Sequence, residues 1–404
     1  MRILQISPDF PPWSNGGAAE TFSLLADAWR EAGHEVLNYT SVPNVKLLKS
    51  ANHLEGGLRV FRLLDLPSSL HEASYFSPLS PRAFFDFKKR IGGVARNCDL
   101  VVVHGLLETM PRVFWSTCPE DVLSRCVSVQ YGVSAAAYSP LLRGLSKIGY
   151  GAIGRLVISR IRNIVVFCST SASEIDSLIC KPSSQNVHKF VLGIDTVAFA
   201  SQYRAVVRDP FSAREWLGAR SISPPFIFSI SRNTSAKGQD LLVDAFADLA
   251  QEFPDLSLVL AGEETVLTDQ MRQSAARRGI GHRVRFLGKV SAWEKMVLFQ
   301  AAQALVIPSR VEGYGLTALQ ARLIQKPTVA TDTGAHRELL RTNPQARLVV
   351  PGDVASLREG IRDLIRGHPA SGTLDEGQLE MFDIRRLALT LTERFGDTRG
   401  VSTG

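Results

Sequence analysis

A chain of 404 residues, 45% hydrophobic and 21% charged, has an ordinary globular composition and is too long for one core at about 150 residues per domain. A net charge of +7 suits nucleic acid, anionic lipid or a phosphorylated substrate, and without a helix-turn-helix, zinc-finger or RNP-like pattern nucleic acid ranks last. No run reaches the roughly 18 uncharged apolar residues of a membrane span, and the five cysteines form no C-x-x-C pair, which argues against a disulfide framework or zinc site and for buried, reduced thiols.

The run Arg2-Ile3-Leu4-Gln5-Ile6-Ser7 predicts a buried parallel strand. It is short, stops at Pro8 and does not read as a signal peptide, so a cytoplasmic protein is expected. A Pro/Gly loop follows, ending in Gly16-Gly17. Phe22, Leu25 and Trp29 share one face of a helix predicted from Glu20 to Glu31, which Gly33 ends. Strands are predicted at Val36 to Tyr39, at Asp99 to Val103 after a helix from about Arg82, at Val127 to Val129 and at Ile164 to Cys168. Arg82 to Arg90 mixes Phe84, Phe85 and Phe87 with cations. That reads as a core helix with a basic outer face, or as a helix lying on a membrane. Thr196 to Pro225 is irregular and predicts a linker with one short helix.

The alternation then restarts. Strands are predicted at Phe226 to Ser231, Leu256 to Ala261, Val284 to Leu287 and Ala304 to Ile307, with Thr328 to Ala330 as the last. Helices are predicted at Gly238 to Phe253 and Leu316 to Gln325. Strands separated by helices imply a doubly wound parallel sheet, and two such halves imply an α/β protein of two facing Rossmann-like domains. Ligands of such sheets bind beyond the carboxyl ends of the strands, which places the expected site in an inter-domain cleft.

Two loops at predicted strand ends carry chemistry. Pro308-Ser309-Arg310-Val311-Glu312-Gly313-Tyr314-Gly315-Leu316 leads from strand to helix. Its glycines allow close backbone approach, the helix N-terminus suits a diphosphate, and Glu312 can accept hydrogen bonds from sugar hydroxyls. A tight turn with a solvated glutamate explains the same pattern. Ser231-Arg232-Asn233-Thr234-Ser235-Ala236-Lys237-Gly238 places Arg232 and Lys237 where both can reach one diphosphate, a leaving group whose growing charge they would stabilise. Two solvated surface cations are the plainer reading. Gly16-Gly17 lacks the G-x-G-x-x-G spacing of nicotinamide sites but can still touch a phosphate. No D-x-D occurs, so no metal or other cofactor is expected, and the cations with the helix terminus would take the metal's place.

In this order the motifs resemble family 4 of the retaining glycosyltransferases, which have the GT-B fold. The resemblance runs over Pro11-Pro12 with Gly16-Gly17, Ala32-Gly33-His34-Glu35-Val36, Leu192-Gly193-Ile194-Asp195, Ser231-Arg232 with Lys237-Gly238, and Ala261-Gly262-Glu263. It continues over Pro308 to Leu316 and Thr331-Asp332-Thr333-Gly334 with Glu338-Leu339. It implies an acceptor-binding domain at 1–200, a nucleotide-sugar domain at 201–380, and a segment at 381–404 whose helix, about Phe382 to Phe395, crosses back. It also implies that Arg232 and Lys237 hold the donor phosphates, and that Glu312 with Gly313, Tyr314, Gly315 and Leu316 holds sugar and phosphate. Gly17 would approach the phosphate across the cleft.

Two positions depart from the family. The second glutamate of its Glu-x7-Glu pattern, a ribose ligand, is Gln320 here. Where relatives often carry a His ahead of Gly132, near the transferred sugar, this chain has Gln130, which cannot act as a general base. His104, at its own strand end, is the other acceptor-side candidate; His34 reads as structural. The resemblance thus implies a metal-independent hexosyltransferase using a UDP- or GDP-sugar. Its acceptor would be a glycan or lipid-linked molecule, and its place the cytoplasm, with peripheral contact to the anionic inner face of a membrane. A catalytically impaired nucleotide-sugar-binding subunit is the alternative, on the strength of Gln130 and Gln320.

Overall fold

The computed structural model describes residues 1–8, 17–42, 58–62, 79, 81–106, 108–132, 158–178, 186–370 and 372–396. The chain divides into two compact units, with breaks after Asp195 and after Glu380, so that the C-terminal segment returns to the first unit.

Among the described residues the first unit holds strands β1 (Arg2–Ile6), β2 (Glu35–Val42), β3 (Leu58–Arg62), β4 (Leu100–His104), β5 (Cys126–Gln130), β6 (Asn163–Val166) and β7 (Asn186–Lys189). They form one parallel sheet in the order β3-β2-β1-β4-β5-β6-β7, with Ile3 beside Val36 on one side and Leu100 on the other. Ile3, Leu4, Ile6 and Leu100 to Val103 are fully buried, so these strands read as continuous apolar runs rather than alternations. The helix Gly17–Glu31 covers the sheet with Phe22, Leu25, Ala26 and Trp29.

The returning helix Ile384–Phe395 packs on that helix, where Trp29 Nε1 donates to Ala388 O at 3.0 Å. Asp383 caps it by accepting from Arg385 N at 2.8 Å, and the Arg385 guanidinium reaches Glu31 at 3.0 Å. Ile194 pairs with Asp383 in a short parallel bridge. A Cβ at Gly193 would lie 2.4 Å from Phe382 O, which is why glycine stands in the segment Leu192 to Asp195.

The second unit holds β8 (Phe226–Ile230), β9 (Ser257–Ala261), β10 (Val284–Phe286), β11 (Ala304–Ile307), β12 (Thr328–Thr331) and β13 (Ala346–Val349). Its sheet is also parallel, in the order β10-β9-β8-β11-β12-β13. Phe246, Leu249, Leu258, Leu260, Met271, Val306 and Ile361 lie in its core.

Two expectations are corrected here. Thr196 to Pro225 is not an irregular linker with one short helix, for it forms the helices Thr196–Arg208 and Pro210–Ala219. The polar pair Asp209-Pro210 marks a helix start. Asp209 accepts from Ser212 N at 3.0 Å, and proline fits the first helical turn because its missing N–H has no partner to lose there. Phe199, Ala200 and Val206 bury the first helix, which packs against the helix Ala292–Ala301. The strand at Thr328 is not the last, since β13 adds an edge strand whose Arg347 and Leu348 are exposed and hide the pattern.

Cys98, Cys118, Cys126 and Cys168 are buried and form no disulfide; Cys180 lies outside the described residues. Among the described residues no helix is long and apolar enough to cross a membrane.

Lys326 is only 2% exposed, and burial pushes its ammonium down to about 8. It donates to Gln300 O and Ala302 O at the end of the helix Ala292–Ala301. Because the folded value lies below the unfolded one, stability rises with pH between about 8 and 10.5 and the burial penalty is fully present below that window. The expected difference in unfolding free energy between the native protein and Lys326→Met changes by about 3 kcal/mol across the window. Urea titrations at pH values spanning it, run on both proteins, measure this; parallel curves would refute it.

Candidate functional site

In the second sheet β8 lies between β9 and β11. The connections leaving β8 and β11 therefore run to opposite faces and open a crevice at the strands' carboxyl ends. The two chemically suggestive loops, 231–238 and 308–315, are those connections.

The loops are fastened together. Arg310 N and Val311 N donate to Ala236 O at 2.8 and 3.2 Å. The Arg310 guanidinium grips Asp240 at 2.8 and 2.7 Å and Ser235 O at 2.7 Å. Gly238, at φ +66°, lies so close that a Cβ there would be 2.0 Å from Pro308 O.

This apposition brings Lys237 to Glu312. The ammonium donates to both carboxylate oxygens, at 2.7 and 2.8 Å. Ser309 Oγ donates to Glu312 Oε2 at 3.1 Å, and Ser309 O accepts from Thr331 Oγ1 at 2.6 Å. Burial alone would push the Glu312 carboxyl up. The charges of Lys237 and His336, with the hydrogen bonds from Lys237 and Ser309, outweigh it and hold the carboxyl below its usual value. Arg232 is exposed on the same loop and pairs with no described residue.

At the same place two helices lack a side-chain cap, as the short helices His336–Leu340 and Glu376–Leu379 of this unit also do. The helices Pro210–Ala219, Val266–Arg277, Ala292–Ala301 and Val354–Arg366 take side-chain caps from Asp209, Thr265, Ser291 and Asp353. The helices Gln239–Glu252 and Leu316–Leu323 instead open on Gly238 and Gly315, with no side-chain cap. Their first N–H groups remain available to an anion. Leu316 begins its helix, Gln320 lies one turn on with 9% exposure, and Tyr314 is buried in the loop. Gly313 O accepts from Ala335 N at 3.1 Å.

The structure thus brings together Lys237, Glu312, Gly313, Gly315 and Leu316, with Arg232 on the same loop as Lys237. Sequence reasoning missed Asp240, Arg310, Ser309 and His336, which hold or border this group. The pairing of Asp240 with Arg310 spans 70 positions and carries no local signal.

In the first unit Gly17 begins its helix, and Gly16 lies outside the described residues. His104 is fully buried, lies tilted against the Phe22 ring at 4.3 Å and shares a 3.0 Å hydrogen bond with Tyr131 Oη. Burial lowers its pKa to about 3, so the ring is neutral at physiological pH. Gln130 is turned inward, donating to Ser128 Oγ at 2.8 Å. Neither side chain is open to solvent: His104 is 0% exposed and Gln130 3%. Among the described residues no three His, Cys, Asp or Glu side chains gather as metal ligands.

Residues 219–376, which contain Arg232, Lys237, Glu312 and Gln320, match the family described as Glycosyl transferases group 1. Glycogen synthase of Mycobacterium tuberculosis is 25% identical over 381 residues, covering 90% of this chain and 86% of that protein. The chain is a glycosyltransferase. D-inositol 3-phosphate glycosyltransferase 1 of Catenulispora acidiphila is 32% identical to it over 222 residues, 52% of this chain and 51% of that one. The glycosyltransferase has the fold of sucrose-phosphate synthase from Thermosynechococcus elongatus, with TM-score 0.71 at 18% identity over 97% of each chain. It also has that of HepE from Anabaena, solved with UDP-glucose, with TM-score 0.65 at 19% identity over 99% of this chain and 96% of that one. The architecture is therefore the two-domain α/β GT-B fold.

Proposed function

We propose that this glycosyltransferase is a retaining, family 4 enzyme. It takes a hexose-type sugar from a UDP- or GDP-sugar and places it on a glycan or lipid-linked acceptor without a metal ion. The observation that carries the reading is the Lys237–Glu312 pair, held at the switch point of the second sheet between two helices without side-chain caps. The UDP-glucose bound by HepE supports a nucleotide-sugar donor.

In this reading the donor diphosphate takes Lys237 and Arg232 as counter-charges and lies at the N-terminus of the helix Leu316–Leu323. Glu312, released from Lys237, accepts from sugar hydroxyls, and Gln320 hydrogen-bonds the ribose. The bond from the anomeric carbon to the phosphate oxygen breaks while the acceptor oxygen bonds that carbon on the same face. The departing phosphate oxygen takes the acceptor proton, so neither Gln130 nor His104 acts as a base. Lys237 and Arg232 stabilise the charge that grows on the leaving diphosphate. The helix Pro81–Arg96 buries Phe87, Ile91 and Ala95 and exposes Arg82, Lys88 and Lys89 around Phe85, which is 69% exposed. That face suits contact with an anionic membrane that carries a lipid-linked acceptor.

Nucleotide release from a panel of UDP-, GDP- and ADP-sugars tests the reading. Release from one donor, unchanged by EDTA and lost in Lys237→Ala, is expected. Binding of a donor with no release under any acceptor would favour an impaired subunit, and absence of both would end the proposal.

A further inference from the structure

His336 opens the short helix His336–Leu340 behind the Lys237–Glu312 pair and is fully buried. Its Nδ1 lies 2.8 Å from Thr331 O. A carbonyl only accepts, so Nδ1 carries the hydrogen and Nε2 is the bare nitrogen of the neutral ring. That Nε2 has no hydrogen-bond partner among the described residues. Buried polar atoms are nearly always paired, so an unpaired one asks for a reason. Its position supplies one: a Cβ built on Gly315 would meet Nε2 at 2.8 Å and Glu312 Cγ at 3.4 Å. The bare nitrogen thus borders the glycine that opens the helix Leu316–Leu323 and the stem of Glu312.

We propose that His336 is a proton-linked positioning residue for the donor diphosphate: Nε2 takes a proton from solvent when the diphosphate draws Lys237 away from Glu312. The proposal rests on the nucleotide-sugar reading above. In the free protein Glu312 has Lys237 as its counter-charge at 2.7 Å. A diphosphate competes for that ammonium and adds negative charge at the helix terminus. Glu312 then needs another cation, and the histidine that acts on it among the described residues is His336.

The groups that act on the ring agree with this sequence of events. Burial and Lys237 disfavour its cation, while Glu312, Asp332 and the Thr331 carbonyl favour it. Burial wins in the free protein and lowers the pKa below the ordinary 6.5. Asp332 is itself neutralised by Arg337, which leaves Glu312 as the group whose pairing changes on binding. With the diphosphate present the pKa rises. Between the free and bound values each binding event takes up a proton, and affinity falls as pH increases through that window. A tethered cation beside Glu312 would keep the carboxylate ionised and oriented toward the sugar.

Isothermal titration of UDP and of GDP, in buffers of different protonation enthalpy at pH 6.5, measures proton uptake directly. Native protein is expected to take up on the order of half a proton more per nucleotide than His336→Gln. The ratio of Kd at pH 8 to Kd at pH 6 should be several-fold larger in the native protein than in the variant. Equal uptake in both proteins would overturn the proposal while leaving the nucleotide-sugar reading intact. If the native protein binds neither nucleotide, that reading falls and this inference with it. Should His336→Gln not fold, NMR titration of 13C-labelled histidine in the native protein serves instead. The His336 ring is expected to titrate at higher pH with UDP than without, and an unmoved titration would refute the proposal.

Discussion

Replacing Lys237 with alanine is expected to lower kcat at least ~100-fold, the usual scale for removing one preorganised charge from a transition state. Two effects combine. On the proposed mechanism the leaving diphosphate loses the Lys237 ammonium at the moment its charge grows. Glu312 loses its counter-charge, and with burial unopposed its carboxyl titrates at higher pH than in the native enzyme. The acid limb of the variant's pH profile of kcat/KM, which reports the free enzyme, should therefore move upward. Lys237→Arg is not a conservative rescue: a guanidinium can grip both oxygens of Glu312, but it is larger than the compact ammonium and is held there by its planar fork. Glu312→Ala combined with Lys237→Ala should lose far less than the product of the single losses, since the two residues act as a pair. Steady-state nucleotide release over a range of donor concentrations and pH reads all of these. A near-native rate for Lys237→Ala would remove the residue from the mechanism.

How much of this was legible in the sequence depends on distance along the chain. The apolar runs at Ile3 and Phe226 announce themselves because parallel strands are buried on both faces. β7 and β13 do not, because edge strands keep polar and exposed residues, Asn186 to Lys189 and Arg347 among them. Asp209-Pro210 looks like a loop and is a helix start, since a helix N-cap and a turn use the same residues. In the site, Lys237 and Glu312 were marked by strand-end position. Their mutual contact could not be read, for it is made by Arg310 reaching Asp240 and by two backbone bonds to Ala236. His336 escaped for a different reason. A histidine in a helix-opening loop is common, and only its buried, unpaired nitrogen beside Gly315 distinguishes it. Gln130 and His104 were marked by strand-end position too, and their partners, Ser128 and Tyr131, could not be read from that position.

The second large effect is expected from Gly238→Ala, which should cut turnover at least ~100-fold because displacing reacting groups by about 1 Å is enough to do so. The added Cβ would sit 2.0 Å from Pro308 O, a backbone atom that cannot rotate away. Relief requires the 231–238 and 308–315 loops to part, which stretches the Ala236 bonds to Arg310 and Val311 and pulls Lys237 from Glu312. Left-handed backbone strain adds about 1 kcal/mol, since φ is +66°. Gly279→Ala separates the two causes. That glycine has a similar φ of +73°, yet nothing lies within 4 Å of its Cβ position. It should lose about 1 kcal/mol of stability and keep its rate. Thermal unfolding and kcat, measured on both variants, decide the matter. If Gly238→Ala loses no more activity than Gly279→Ala, close loop apposition is not what sets the Lys237–Glu312 geometry. If it alone loses turnover while both remain folded, the close contact at Gly238 is a condition of catalysis, and glycine there is fixed by what Pro308 O occupies rather than by φ.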